Sequence, residues 1–257
     1  MFNDILGLIL SCLASLIALT VHEYCHGYAA YKLGDDTAKN FGRLTLNPIK
    51  HIDIYGFICM ALFHVGWAKP VPINARNFKD PKKGFAITAA AGPASNLILG
   101  LFTTPIVLLL INSIIVSGGS GFSLNLSSTA FSFFYVFHLI NIGLGVFNLL
   151  PVPPFDGSRL LYVFLPPKAY FAVMKYERKI YIAVLCWLLL GNYAAAGVRM
   201  IPFVQQSEFL YWFAGIFSLS NMIGTAIQWV STLMIRLWGL IPPLKSASIL
   251  FEYIMYR

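Results

Sequence analysis

The sequence predicts an all-α polytopic membrane protein, with about five to six transmembrane helices and a short re-entrant or extended element after the first. Three observations carry this. Hydrophobic residues fill 58% of the 257 positions and charged residues only 11%, whereas a soluble domain carries about 25% charge. So few charges cannot cover a water-facing surface, which excludes a soluble globular enzyme, disorder, collagen and coiled-coil arrays. Apolar runs long enough to cross roughly 30 Å of hydrocarbon recur along the chain. Basic residues cluster between these runs. With a formal net charge of +8, they speak to topology rather than to nucleic acid, because Lys and Arg gather on the cytoplasmic side of membranes.

The N-terminal stretch MFNDILGLIL has no basic segment ahead of its apolar run and carries Asp4, so it reads as a retained span and not as a cleaved signal peptide. Ile5 to Tyr31 is the first span, interrupted by His22-Glu23-Tyr24-Cys25-His26. A basic segment with Lys32, Lys39, Arg43 and Lys50 follows. Ile54 to Val65 is apolar but only about a dozen residues, too short to cross as a helix. Trp67 to Lys83 is basic again. Phe85 to Ile111 and Phe131 to Leu150 are further spans, separated by the uncharged linker Asn112 to Ala130. Pro151-Val152-Pro153-Pro154 comes next, and two more spans lie near Ile180 to Ala196 and Phe209 to Ile235.

If 54–65 enters and leaves by one face, five spans place the basic loops 32–53, 67–83 and 159–179 and the C-terminus in the cytoplasm. The N-terminus and the uncharged linker then fall outside, and Arg199 is the one misplaced cation. If 54–65 is instead a tilted sixth span, the basic loops scatter over both sides. Either way the chain reads as one integral-membrane domain over 1–257, with a core over 5–165 and C-terminal helices over 178–257. Its four cysteines (Cys12, Cys25, Cys59 and Cys186) form no CxxC pair, and a disulfide framework is not expected.

The chemistry concentrates in the first span. His22 and His26 are four apart, so on a helix both imidazoles project from one face, a spacing that suits two nitrogens on one Zn²⁺. Glu23 is close enough to take a proton from a water on that metal but is turned away from ligation. This is the H-E-x-x-H pattern of zinc metalloproteases. Ionisable residues inside a bilayer are costly and by default functional. The alternative is a polar cluster that hydrogen-bonds neighbouring helices.

A catalytic zinc needs a third protein ligand. Asp156 is the candidate. It follows a span that runs outside to inside, as does the span holding the histidines, so both sit toward the cytoplasmic face. The prolines at 151, 153 and 154 prevent a helix there, and Gly157 allows close backbone approach. The alternative role for Asp156 is to cap a short helix through Ser158-Arg159-Leu160-Leu161.

These residues resemble the site-2 protease family of intramembrane zinc metalloproteases. His22-Glu23-x-x-His26 is similar to its metal motif. Asn148-Leu-Leu-Pro151-Val-Pro153-Pro154-Phe-Asp156-Gly157 is similar to its N-x-x-P-x-P-x-x-D-G motif. GRLTLNPIKHID, GWAKPVPINARNF and AGPASN are similar to the compact bacterial and archaeal branch without PDZ or CBS domains. Ser158 stands where many members have Gly. The resemblance covers most of 15–165 and weakens beyond about residue 170. It implies one zinc held by His22, His26 and Asp156, Glu23 as general base, and Asn148 near the substrate. There Asn148 either aids the oxyanion or bonds a neighbouring helix. It also implies membrane-anchored protein substrates cut in or near their transmembrane segments; oligomeric state stays open.

A helical substrate buries its scissile carbonyls and must unwind. In the Gly66-to-Asn74 stretch, Pro70 and Pro72 lack N–H groups while those of Val71 and Ile73 point to the opposite side. Such an edge either pairs with an unwound substrate strand or is an ordinary proline-rich loop. Asn96 either lines the cavity or glues helices. His51 and Asp53 either gate substrate, tune the metal or form an interfacial pair. Two other functions compete: a transporter or channel, and a zinc-binding membrane scaffold without proteolysis. The first leaves Glu23 unexplained, and nothing in the sequence favours the second.

Overall fold

The computed structural model describes residues 5–56, 58, 67–116, 122–207, 210 and 218–255. Its long helices are α1 (Ile5–Lys32), α3 (Pro81–Val116), α4 (Phe122–Asn148), α6 (Pro167–Arg199) and α8 (Leu219–Gly239). Shorter ones are α2 (Thr37–Asn40), α5 (Asp156–Phe164), α7 (Pro202–Gln205) and α9 (Lys245–Met255). Among the described residues there is no β-strand, only a single antiparallel bridge between Ile52 and Ala68. Among the described residues three helices are long and apolar enough to cross a membrane: α1, α3, and α4 over Ser127–Asn148. A fourth is added if α6, bent by 51° between Leu188 and Tyr193, is one span. The all-α polytopic class is as expected.

Several boundaries differ from the sequence expectation. Of the linker expected over 112–130, α3 takes the residues up to Val116 and α4 those from Phe122, and 117–121 lie outside the described residues. Asn112, Ser113 and the Ser127–Thr129 stretch are polar enough to end an apolar run, yet nothing in them stops a helix. The stretch 159–179 is not a loop: α5 and the first turns of α6 fill it, separated by Leu165 and Pro166. Of the element expected over 54–65, Ile54–Gly56 and Ile58 are helical, and the rest lies outside the described residues. Of the last expected span, α8 is the described part.

Helix α3 is the axis of the molecule, with α1, α4, α5, α8 and α9 packed against it. Gly100 lets it approach α4, since a Cβ there would meet Ile142 Cγ1 at 2.9 Å. Val107, Leu108 and Ile111 of α3 close a core with Ile235 of α8 and Ala247 and Phe251 of α9. Ala14 and Ala18 of α1 pack on Val136 and Phe137 of α4. The outer faces remain apolar: Ile98, Phe102 and Leu109 of α3 are more than half exposed, as suits a surface that meets lipid.

Two polar groups inside the bundle are matched across helices. Pro105 has no N–H to give the carbonyl four residues back, and the Trp238 indole N–H of α8 donates to that Leu101 carbonyl at 2.9 Å. His138 joins the Gly100 carbonyl (3.2 Å) to the Ser231 hydroxyl (2.7 Å), so it bonds two neighbouring helices. His64 lies outside the described residues.

Candidate metal centre

The helical spacing of α1 puts His22 and His26 on one face with their ring centroids 4.6 Å apart. Both are buried, at 5% and 6% exposure. The proline run after α4 ends where α5 begins, at Asp156. Gly157 is required at this turn, because a Cβ there would run into the Leu149 and Leu150 carbonyl groups. Asp156 does not cap α5: Phe155 is the N-cap and receives no side-chain hydrogen bond. The Asp156 carboxylate points at the histidines instead, with Oδ2 at 3.2 Å from each Nε2. The two Nε2 atoms are 3.0 Å apart. Residues far apart in sequence thus form one triangle, and among the described residues these three are the group that can hold a metal ion.

The donor set fits zinc on two counts. Ligands at 2.0–2.1 Å around a tetrahedral zinc lie about 3.3 Å from one another, close to the 3.0–3.2 Å edges of this triangle. The ring protons also sit on the correct nitrogens. His26 Nδ1 faces the Thr88 backbone carbonyl at 2.7 Å, and His22 Nδ1 faces Asn96 Oδ1 at 2.5 Å. Both partners only accept, so both Nδ1 atoms donate, and in the neutral rings the Nε2 lone pairs face each other and a carboxylate. A cation among them would satisfy all three converging acceptors. Helix α3 leaves the space for one, since a Cβ on Gly92 would lie 2.7 Å from His22 Nε2 and closer still to His26 Nε2.

Glu23, on the same helix, accepts a hydrogen bond on Oε2 from the Val71 backbone N–H at 2.8 Å. Val71 belongs to the extended proline-rich segment for which the sequence leaves a substrate-pairing edge and an ordinary loop open. Here that N–H is taken by Glu23, and the Val71 side chain packs on α1 beside Gly27. Ile73, two residues on, is half-buried. The segment is tied down along its length. Lys69 N–H donates to the His51 carbonyl at 2.8 Å and Arg43 Nη2 to the Lys69 carbonyl at 2.6 Å. Asn74 N–H and Asn77 Nδ2 each donate to the buried Asp35 carboxylate at 2.7 Å. Thr37 adds its N–H and hydroxyl. Burial would raise the Asp35 carboxyl, but these donors hold it below the usual carboxylate range.

The remaining sequence candidates separate. Asn96 is a partner of His22, which makes its role more specific than glue between helices. Asn148 donates to the Leu144 carbonyl of its own helix at 3.0 Å, not to a neighbouring helix. His51 is outside the triangle. Its Nε2 donates to the Thr45 carbonyl at 2.8 Å, and Asp53 accepts from Gly56 N–H, so these two do not form the expected pair. Sequence reasoning missed Asn141, which accepts from Asn96 at 2.8 Å. A buried amide in an apolar span, two helical turns before Asn148, is the signal that marks it.

A sequence profile described as Peptidase family M50 matches residues 114–190, the stretch that holds Asn148 and Asp156. "Putative zinc metalloprotease YwhC" of Bacillus subtilis is 44% identical over 152 residues, which are 59% of this chain and 67% of that protein. "Putative zinc metalloprotease Rip2" of Mycolicibacterium smegmatis is 24% identical over 218 residues, 82% of this chain and 75% of that one. "Zinc metalloprotease MJ0392" of Methanocaldococcus jannaschii is 29% identical over 152 residues, 59% of this chain and 33% of that one. No solved structure matches the chain. With both motifs meeting at one centre and two-thirds of YwhC aligned at 44% identity, the chain belongs to peptidase family M50, the site-2 protease family.

Proposed function

We propose that this membrane metalloprotease is an intramembrane endopeptidase. It uses one zinc per chain, at the cytoplasmic side of a cell membrane, to hydrolyse membrane-anchored proteins within or near their transmembrane segments. The observation that supports this best is the triangle of His22, His26 and Asp156, with Glu23 on the same helix, set among helices long and apolar enough to span. Zinc, when bound, supplies Lewis acidity that polarises the scissile carbonyl and lets water attack at neutral pH.

The chain's own residues do the rest. Glu23 takes the proton of the attacking water and returns it to the leaving amine. The Val71 N–H holds one carboxylate oxygen and so orients Glu23. Asn148 has a carboxamide oxygen with which to meet substrate while its Nδ2 bonds Leu144. Thr88 and Asn96 fix the rings of the two histidines. The basic segments 32–53 and 67–83 support the cytoplasmic placement.

The test is reconstitution of wild type and Glu23→Gln in liposomes with a panel of single-span substrates. The expected result is equal zinc content in both and cleavage by wild type alone. Wild type that holds zinc and cuts nothing favours a scaffold, and vectorial metal uptake without cleavage favours a transporter.

A further inference from the structure

Behind His22 lies a chain of buried amides whose direction is set at every link. It starts at the Phe137 carbonyl of α4, which can only accept. Asn141 Nδ2 donates to it at 2.8 Å, and this turns Asn141 Oδ1 toward α3. That oxygen accepts from Asn96 Nδ2 at 2.8 Å, while the second proton of the same nitrogen goes to the Ala18 carbonyl at 3.2 Å. Asn96 Oδ1 must then face His22, where it meets Nδ1 at 2.5 Å. Asn96 and Asn141 are fully buried, at 0% exposure, so water does not compete for these bonds.

We propose that Asn141 is a positioning residue for the metal centre. By fixing which way round the Asn96 carboxamide sits, it keeps the ring proton of His22 on Nδ1 and the Nε2 lone pair toward the cation. A reversed Asn96 would aim its NH₂ at Nδ1 and demand a lone pair there. The ring proton would move to Nε2, into the space between His22, His26 and Asp156. Reversal is opposed because the Asn96 oxygen would then face two acceptors, Ala18 O and Asn141 Oδ1. His26 has no such adjustable link, since it donates directly to the Thr88 backbone carbonyl. The dependence on side-chain amides is therefore confined to one of the two histidines.

This inference rests on His22 being a zinc ligand, and the experiment separates the two claims. Zinc affinity of the purified full-length protein is measured by chelator competition. The tautomer of each histidine is read by nitrogen NMR on zinc-stripped, ¹⁵N-histidine-labelled protein. Asn141→Leu removes the acceptor at similar volume, and Asn141→Ala serves if the leucine variant does not fold. Zinc affinity is expected to fall by about 10-fold or more, within the range for outer-shell partners, and His22 shifts from Nδ1–H toward a mixture with Nε2–H. His26 keeps its tautomer, which distinguishes lost orientation from general loosening. In an Asn96→Asp background both ends of the side chain are oxygens and no orientation remains to be set, so Asn141→Leu should cost less than about twofold more. An unchanged His22 tautomer with unchanged affinity in Asn141→Leu overturns the inference, as does an equal loss in both backgrounds. Wild type that takes up no zinc overturns the metal reading and the inference together.

Discussion

Val71 donates its backbone N–H to Glu23 Oε2 at 2.8 Å, so the proline-rich segment reaches the proposed base itself. Val71→Pro deletes this donor in a stretch already flanked by Pro70 and Pro72, where proline backbone angles are at home. Turnover of a reconstituted substrate should fall by about 10-fold, the worth of one hydrogen bond to a charged group, with zinc content unchanged. Val71→Ala keeps the N–H and should stay within about twofold. Equal activity in the two variants would remove the segment from the catalytic machinery.

Gly92 faces the space among the three proposed ligands. In Gly92→Ala the new methyl group would meet His22 Nε2 at 2.7 Å, while the helix itself gains propensity. The expected variant folds, keeps its helical circular dichroism and binds zinc at least about 100-fold more weakly. Gly224→Ala is the control, because nothing lies within 4 Å of a Cβ there. It should leave metal content unchanged.

Asp156→Ala separates ligand from cap. Loss of a cap costs about 1 kcal/mol of stability and leaves metal binding intact. Loss of a ligand empties the site and leaves α5 in place. Since Phe155 is the N-cap, metal analysis of the variant should show near-complete zinc loss, with α5 amides still protected from hydrogen exchange.

Asp35 gives a pH dependence whose sign follows from its hydrogen bonds. Its folded-state carboxyl lies below the ordinary value, so the ionised form is the stabilising one. The contribution is fully present above the unfolded-state range near about pH 4. It is lost as pH falls through the lower folded-state value. The protection factor of the Asn74 N–H, which donates to this carboxylate, should be flat from neutral pH down to about 5, once the intrinsic pH dependence of exchange is divided out, and fall only below about 4. In Asp35→Asn the amide should exchange fast at neutral pH, and the acid step should vanish.

The site was legible in the sequence where chemistry demands both a residue type and a spacing. Two histidines one helical turn apart cannot avoid sharing a face, and the proline run before Asp156 breaks the helix where a carboxylate has to turn inward. The relationships that depend on tertiary contact were not legible. The odd-numbered N–H groups of the extended segment do share a side, yet nothing local says that Glu23 is what Val71 meets. Asn141 sits in an apolar run like any helix-joining amide, and its direction comes from partners on α3 and in its own preceding turn. Helix ends were misplaced for a related reason. Hydrophobicity marks where lipid contact stops, whereas a helix continues until a proline, a glycine or a charge ends it.

The Leu101 carbonyl, left without a partner by Pro105, waits for an indole that lies 137 residues further along the chain. During synthesis α3 enters the bilayer long before Trp238 leaves the ribosome. In that interval it carries an acceptor in hydrocarbon with no internal donor. The late arrival of α8 therefore completes α3 as well as docking beside it.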